Sequence, residues 1–171
     1  MFEKKIRMND VVISLGSNMG NRLTHLETAI QQLKELPCIL IKKSDVYETA
    51  AWGNTDQPSF YNQVIEIETE LEPVSLMENI LMIEKKMGRI RNRKWEPRII
   101  DIDILFYNDA NIQSAILHVP HPHLHERRFV LQPLFEILPS KIHPVLKKTI
   151  SEMLNELKDT DKVEKLIRIR E

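Results

Sequence analysis

Ile99-Ile100-Asp101-Ile102-Asp103-Ile104-Leu105-Phe106-Tyr107 is a run of strong β-formers interrupted by two acids spaced two apart. Side chains alternate along a strand, so Asp101 and Asp103 share one face while Ile100, Ile102 and Ile104 share the other. Residues two apart on a strand stand roughly 6.5 Å from each other. Asp is depleted in strands and like charges on one face repel, so the pair calls for a positive partner. One reading is the solvent face of an amphipathic strand. The other is a hard cation, with Mg²⁺ the natural choice because it prefers carboxylate, water and phosphate oxygens. Two such ions roughly 4 Å apart could clamp an in-line phosphoryl displacement.

The segment before this strand is basic. Lys85, Lys86, Arg89, Arg91, Arg93, Lys94 and Arg98 are opposed only by Glu96. Net charge over the whole chain is only -1, so bulk charge does not make the protein a polyanion binder, but this segment suits an anionic partner. Arginines offer forked donors to phosphate oxygens, and Trp95 offers a flat face to a heterocycle or a side chain to the core.

Upstream, Val11–Leu15 reads as a short buried strand closed by the turn residues Gly16-Ser17-Asn18 and Gly20-Asn21. Leu23, Leu26, Ala29, Ile30, Leu33 and Leu36 recur at helical spacing over Arg22–Leu36, and Pro37 ends that helix. A second strand begins at Ile39-Leu40-Ile41 and resumes around Val46-Tyr47, before an irregular stretch from Thr49 to Ser59. Val64–Leu71 gives a third strand with Glu66, Glu68 and Glu70 on its outer face. Pro73 opens a helix that continues to Met87 and stops at Gly88. With Ile99–Tyr107 the order is β-α-β-β-α-β, which predicts an α+β, ferredoxin-like sheet with helices on one face. Residues 111–145, rich in Pro and His, are expected to be irregular with short strand pieces, and Thr149–Lys158 to form a last helix. These would be additional C-terminal elements of a single domain over residues 1–171, with its core at about 11–158.

Composition agrees with an ordinary globular protein: 171 residues, 42% apolar and 29% charged. Cys38 is the only cysteine, so no internal disulfide forms, and its apolar neighbours suit a core residue. Met1–Asp10 is charged without an apolar h-region, and no apolar run approaches the roughly 18 residues of a membrane span. A cytoplasmic protein without a membrane partner is the expectation.

The stretch Trp95-Glu96-Pro97-Arg98-Ile99-Ile100-Asp101-Ile102-Asp103-Ile104-Leu105 resembles the signature of the 6-hydroxymethyl-7,8-dihydropterin pyrophosphokinase family, R-W-G-P-R-x-x-D-x-D-I. Gly16-Ser17-Asn18 resembles that family's first turn. Tyr47-Glu48-Thr49 and Asp56-Gln57-Pro58-Ser59-Phe60-Tyr61-Asn62 resemble its pterin loop. Gly88-Arg89-Ile90-Arg91, Val119-Pro120-His121-Pro122, Arg127–Leu131 and Pro133-Leu134-Phe135-Glu136 follow in the family's order.

The resemblance implies an α+β, ferredoxin-like enzyme that transfers the diphosphate of ATP to 6-hydroxymethyl-7,8-dihydropterin in folate biosynthesis, using two Mg²⁺ ions. By resemblance, Asp101 and Asp103 are the metal ligands and, with Arg91 and Arg98, the catalytic residues. Glu84, Arg91, Trp95, Arg98, Ile104, His121 and Arg127 fall at ATP-binding positions. Thr49, Ala50, Trp52, Phe60, Asn62, Trp95 and Phe129 fall on the pterin pocket. A monomer or weak homodimer, with no nucleic-acid partner, is expected.

The sequence also departs from the family pattern. Glu96 replaces a glycine beside the phosphate-binding loop, and Ala50-Ala51-Trp52 replaces a small, Pro-rich stretch. Leu81 stands where some members carry a polar contact, and Lys94 stands for an arginine.

Two rival constellations remain in the sequence. His121, His123 and His125 would share one face of an extended segment, as zinc ligands do, or else serve as loop-packing residues. The β-α-β-β-α-β order also occurs in RNA-binding modules, but the strand that should carry stacking aromatics there carries Asp101 and Asp103 here, which would repel RNA.

Overall fold

The computed structural model describes residues 7–51, 56–90 and 96–166. Strand β1 (Asn9–Ser17) lies at the centre of the main sheet, and of its residues only Asp10 is exposed. A strand covered on both faces needs apolar side chains in both phases of the alternation, which Val11-Val12-Ile13 and Leu15 supply. It pairs antiparallel with β4 (Phe60–Thr69) on one side and β5 (Asp101–Tyr107) on the other. Beyond β4 the chain supplies two short strands in succession. β2 (Cys38–Lys43) pairs with one half of β4 and β3 (Tyr47–Thr49) with the other. Ser44 bridges the break, its hydroxyl accepting the Val64 N–H at 3.0 Å and its own N–H donating to the Val64 carbonyl at 2.9 Å.

Helices α1 (Arg22–Lys34) and α2 (Pro73–Lys86) cover one face. Asn21 caps α1 by accepting the Thr24 N–H at 3.2 Å. Pro73 sits in the first turn of α2, where its missing N–H costs nothing. Gly88, at φ +93°, provides the left-handed turn that ends the helix. Leu26, Ala29, Leu33, Leu76 and Ile80 meet Val11, Ile13, Leu15, Ile65, Ile102 and Ile104 in this core.

The other face carries the C-terminal elements. Here the segment expected to be irregular holds a helix, α3 (Arg128–Ile137). Pro133 inside it hides the periodicity, yet Val130, Leu131 and Leu134 still point one way into a second core with Val12, Val64 and Phe106. One turn of missing hydrogen bond is offset by that burial. Helix α4 (Ile150–Glu156) packs on α3 and opens with a capping box, Thr149 and Glu152 each accepting the other's backbone N–H. Two short strands, β6 (Ile112–Gln113) and β7 (His118–Val119), form a separate ribbon. The chain then adds an unforeseen strand, β8 (Val163–Lys165), antiparallel to β3. The helices therefore lie on both faces: α1 and α2 on one, as expected, and the C-terminal pair on the other.

Strand β5 contains a bulge. Ile13 faces Ile104 but Val12 faces Phe106, leaving Leu105 as the extra residue. Leu105 and Phe106 thereby both enter the core beneath α3 and α4.

Candidate active site

The acid pair lies where the alternation places it. Ile100, Ile102 and Ile104 are buried against α1 and α2, and Asp101 and Asp103 are half-buried on the opposite face, beside Gly16 and Ser14 of β1. Both line a cavity of about 710 Å³. Asp101 is gripped by two guanidinium groups: Arg89 at 2.5 Å on Oδ1 and Arg98 on Oδ2. Arg89 in turn reaches Glu84 at 2.5 Å. Glu84 is almost fully buried and also accepts the N–H of Ile102, the residue between the two aspartates, at 2.8 Å. Three acids thus share the positive charge of the adjoining loop. Burial, with repulsion from Asp101 and then Glu84, pushes the Asp103 carboxyl up to about 7, against the pull of Arg89 and Arg127.

The same cavity is lined by Thr49, Ala50, Phe60, Asn62 and Phe129. Asn62, on β4, is buried and donates to the Thr49 hydroxyl at 2.9 Å, so two neighbouring strands fix its amide plane. Gly16 faces it, and a Cβ there would stand 3.2 Å from Asn62 Oδ1; the glycine leaves room for that carbonyl to be approached. Arg127 lines the cavity with its guanidinium 5.7 Å from the Phe129 ring centre.

Of the residues singled out in the sequence, the fold brings together Thr49, Ala50, Phe60, Asn62, Arg98, Asp101, Asp103, Arg127 and Phe129 around one cavity. Glu84, Ile104 and His121 are not part of that lining. Glu84 lies at the open edge of β5, where it accepts the Ile102 N–H, and the side chain of Ile104 is in the core under α1 and α2. Trp52, Arg91 and Trp95 lie outside the described residues. Glu96, the departure from glycine, stands on the cavity wall.

Two contributors were not picked out in the sequence. Arg89 figures in the sequence only within a basic run and a family-like motif, with no role of its own; its place five residues after Glu84, across a helix end, is what lets it bridge that acid to Asp101. Asn18, fully buried, accepts the Arg98 N–H at 2.6 Å on its side chain and donates its own backbone N–H to the Arg98 carbonyl at 3.0 Å. Its amide also donates to Gln57 at 3.3 Å and Pro58 at 3.4 Å. One asparagine therefore fastens the arginine loop to the loop preceding β4. An Asn closing a Gly-Ser-Asn turn at a strand end was the available signal.

The histidines do not converge. His121 and His123 meet edge to face at 6.2 Å between ring centres, His123 pairs with Glu126 at 3.0 Å, and His125 packs against His143. Burial, then the Arg127 charge and that of His123, hold the His121 imidazole down to about 4. It is expected to remain neutral, with an unchanged ring chemical shift, down to about pH 5, where an ordinary histidine is charged. An NMR titration showing a midpoint near 6.5 would contradict that burial.

Comparisons with known proteins address the same residues. The family model of 7,8-dihydro-6-hydroxymethylpterin-pyrophosphokinase (HPPK) matches residues 12–139. A 2-amino-4-hydroxy-6-hydroxymethyldihydropteridine pyrophosphokinase of Aquifex aeolicus is 44% identical over 145 residues, 85% of this chain and 90% of that protein. The Bacillus subtilis protein of the same name is 45% identical over 132 residues, covering 76% and 79%. The folic acid synthesis protein fol1 of Pneumocystis carinii is 39% identical over 93% of this chain, which spans only 22% of that longer protein. Among solved structures, wild-type Plasmodium falciparum HPPK-DHPS superposes with a TM-score of 0.73 at 20% identity, over 90% of this chain and 44% of that one. That likeness concerns the fold, a mixed arrangement of helices and antiparallel sheet. With its acid pair, arginines and buried Asn62 all inside the matched residues, this chain belongs to the 7,8-dihydro-6-hydroxymethylpterin-pyrophosphokinase family.

Proposed function

We propose that the protein transfers the diphosphate of ATP to 6-hydroxymethyl-7,8-dihydropterin, releasing AMP and the pterin diphosphate, as a step of folate biosynthesis. The observation that carries this reading is a single cavity lined both by an acid pair beside arginines and by two phenylalanines around a buried amide. Asn62 can donate to and accept from the amide edge of a pterin. Phe60 and Phe129 offer aromatic faces to its ring. Arg98 and Arg127 supply charge for a polyphosphate and for what develops on it during transfer.

Asp101 and Asp103 fit Mg²⁺. They are hard oxygen donors on one face of β5, and the Asp103 carboxyl, pushed up first by burial and then by the charges of Asp101 and Glu84, is one that a bound cation would help to ionise. Among the described residues no three His, Cys, Asp or Glu side chains form a closed ligand set. Such an ion would complete its shell with water and phosphate oxygens, as Mg²⁺ does, and two of them would supply Lewis-acid stabilisation of the transferring group. In the reaction, the pterin hydroxyl oxygen bonds to the β-phosphorus, the bond from that phosphorus to the bridging α–β oxygen breaks, and AMP departs with that oxygen. The hydroxyl proton passes to solvent. Positioning and electrostatics suffice for such a transfer, so no side chain has to act as general base.

The antiparallel order β5-β1-β4-β2, with α1 and α2 on one face, supports reading the core as ferredoxin-like and residues 1–171 as one domain. No helix among the described residues is long and apolar enough to cross a membrane. Incubating the full chain with ATP, Mg²⁺ and the reduced hydroxymethyl-pterin should yield AMP and pterin diphosphate in equal amounts. Formation of ADP instead would mean transfer of one phosphoryl group and would overturn this reading.

A further inference from the structure

The family match stops at residue 139, yet a later segment is built into the cavity. After α4 the chain returns past the site, and Lys158, Asp159, Thr160 and Asp161 all line it. This strap is fastened at both ends. At one end, Asp159 Oδ2 accepts the backbone N–H of Arg128 at 3.0 Å, while the Arg128 guanidinium donates to the Asp159 carbonyl through Nε at 3.2 Å and Nη2 at 3.0 Å. At the other, β8 pairs with β3 so that Val163 faces Thr49 and Lys165 faces Tyr47. The Leu166 N–H extends that pairing to the Val46 carbonyl at 2.8 Å. Lys165 adds ion pairs to Asp45 at 3.0 Å and Glu136 at 3.5 Å.

The points of attachment are specific. Arg128 stands between Arg127 and Phe129, both cavity residues, at the first turn of α3. β3 carries Thr49, whose hydroxyl orients Asn62. The strap therefore connects the helix start that presents one aromatic wall to the strand whose Thr49 hydroxyl holds the Asn62 amide of β4. Covering a sheet edge is reason enough for β8. It does not account for Asp159, which lies outside β8 and, while Oδ1 accepts the Asp161 N–H at 2.7 Å within the strap, turns Oδ2 to the residue between two site residues.

Resting on the reading of this cavity as the pterin site, we propose that Asp159 is a positioning residue for pterin binding, acting through Arg128 to hold Phe129 against the cavity. Asp159→Ala removes the side-chain acceptor and is expected to raise the pterin KM and the pterin Kd about tenfold, with kcat and the ATP KM within about twofold of wild type. Asp159→Asn keeps an oxygen acceptor for the Arg128 N–H and should restore pterin binding to within about twofold. Pterin Kd is read by titrating ligand fluorescence in the full chain, with circular-dichroism melting as the control for folding. If a folded Asp159→Ala protein binds pterin like wild type, or loses ATP and pterin affinity equally, the strap only covers an edge and the proposal is wrong. Should Asp159→Ala not fold, Arg128→Gln removes the two guanidinium bonds and is expected to raise pterin Kd about threefold; no change there would also overturn the proposal. Absence of AMP from the wild-type protein would instead refute the transfer reaction, while the fluorescence titration still tests the strap.

Discussion

Asp103→Ala is expected to lower diphosphate transfer at least about a thousandfold, because it removes one of the two acids proposed to hold Mg²⁺ in the cavity that Arg98 and Arg127 also line. The same change should make the metal-free protein more stable above pH 7. In the fold the Asp103 carboxyl is pushed up from 3.8 to about 7 by burial and by its acidic neighbours. Between those two values the folded chain holds a proton that the unfolded chain has released, so this group's contribution to stability falls as pH rises from about 4 to about 7. Its full penalty is present above pH 7 and absent below pH 4. Asp103→Ala should therefore melt higher than wild type at pH 8 and at a similar temperature at pH 4. A variant that keeps turnover within tenfold of wild type would remove the metal role. A lower melting temperature at pH 8 would show the carboxylate to be structurally favourable there.

Glu84→Ala is expected to cost about 3–5 kcal/mol of folding stability, the range for removing one partner of a buried ion pair. Its carboxylate meets Arg89, whose side chain is only 9% exposed, and accepts the backbone N–H of Ile102. Without it, Arg89 keeps Asp101 as a partner while the Ile102 N–H loses its acceptor in a buried setting. Glu84→Gln retains an oxygen for Ile102 and should recover part of the loss. Urea unfolding with a common slope would measure both. A loss below 1 kcal/mol for Glu84→Ala would mean that water or a neighbour replaces the carboxylate freely. Activity should fall as well, since Glu84 fixes the backbone between the two aspartates.

Much of this architecture was legible because its signals are local and periodic. Leu26, Ala29, Ile30 and Leu33 advertise α1 by spacing alone, and the alternation through Ile100–Ile104 assigns each side chain of β5 its face. What escaped has a physical reason in each case. Pro133 conceals α3, because a helix tolerates a missing N–H when Val130, Leu131 and Leu134 are well packed, a tertiary effect that no local rule contains. Val163–Lys165 carries two charges in three residues and becomes a strand only because β3 has an open edge to offer. In the site, residue type and spacing were enough to nominate Asp101 and Asp103, while Asn62 and Phe129 rested on the family resemblance. Neither was enough to nominate Asn18 or Arg89, whose importance lies in linking segments distant along the chain.

The extra residue in β5 solves a problem of phase. Strict alternation from Asp101 and Asp103 would send Phe106 to the face covered by α1 and α2 and turn Tyr107 toward α3. Inserting Leu105 resets the alternation after the charged half of the strand. One strand can thus carry two acids at one end and an aromatic anchor at the other, both on the same side. The charged end is thereby freed from the packing demands of the greasy end, so the chemistry of the one and the bulk of the other can vary independently.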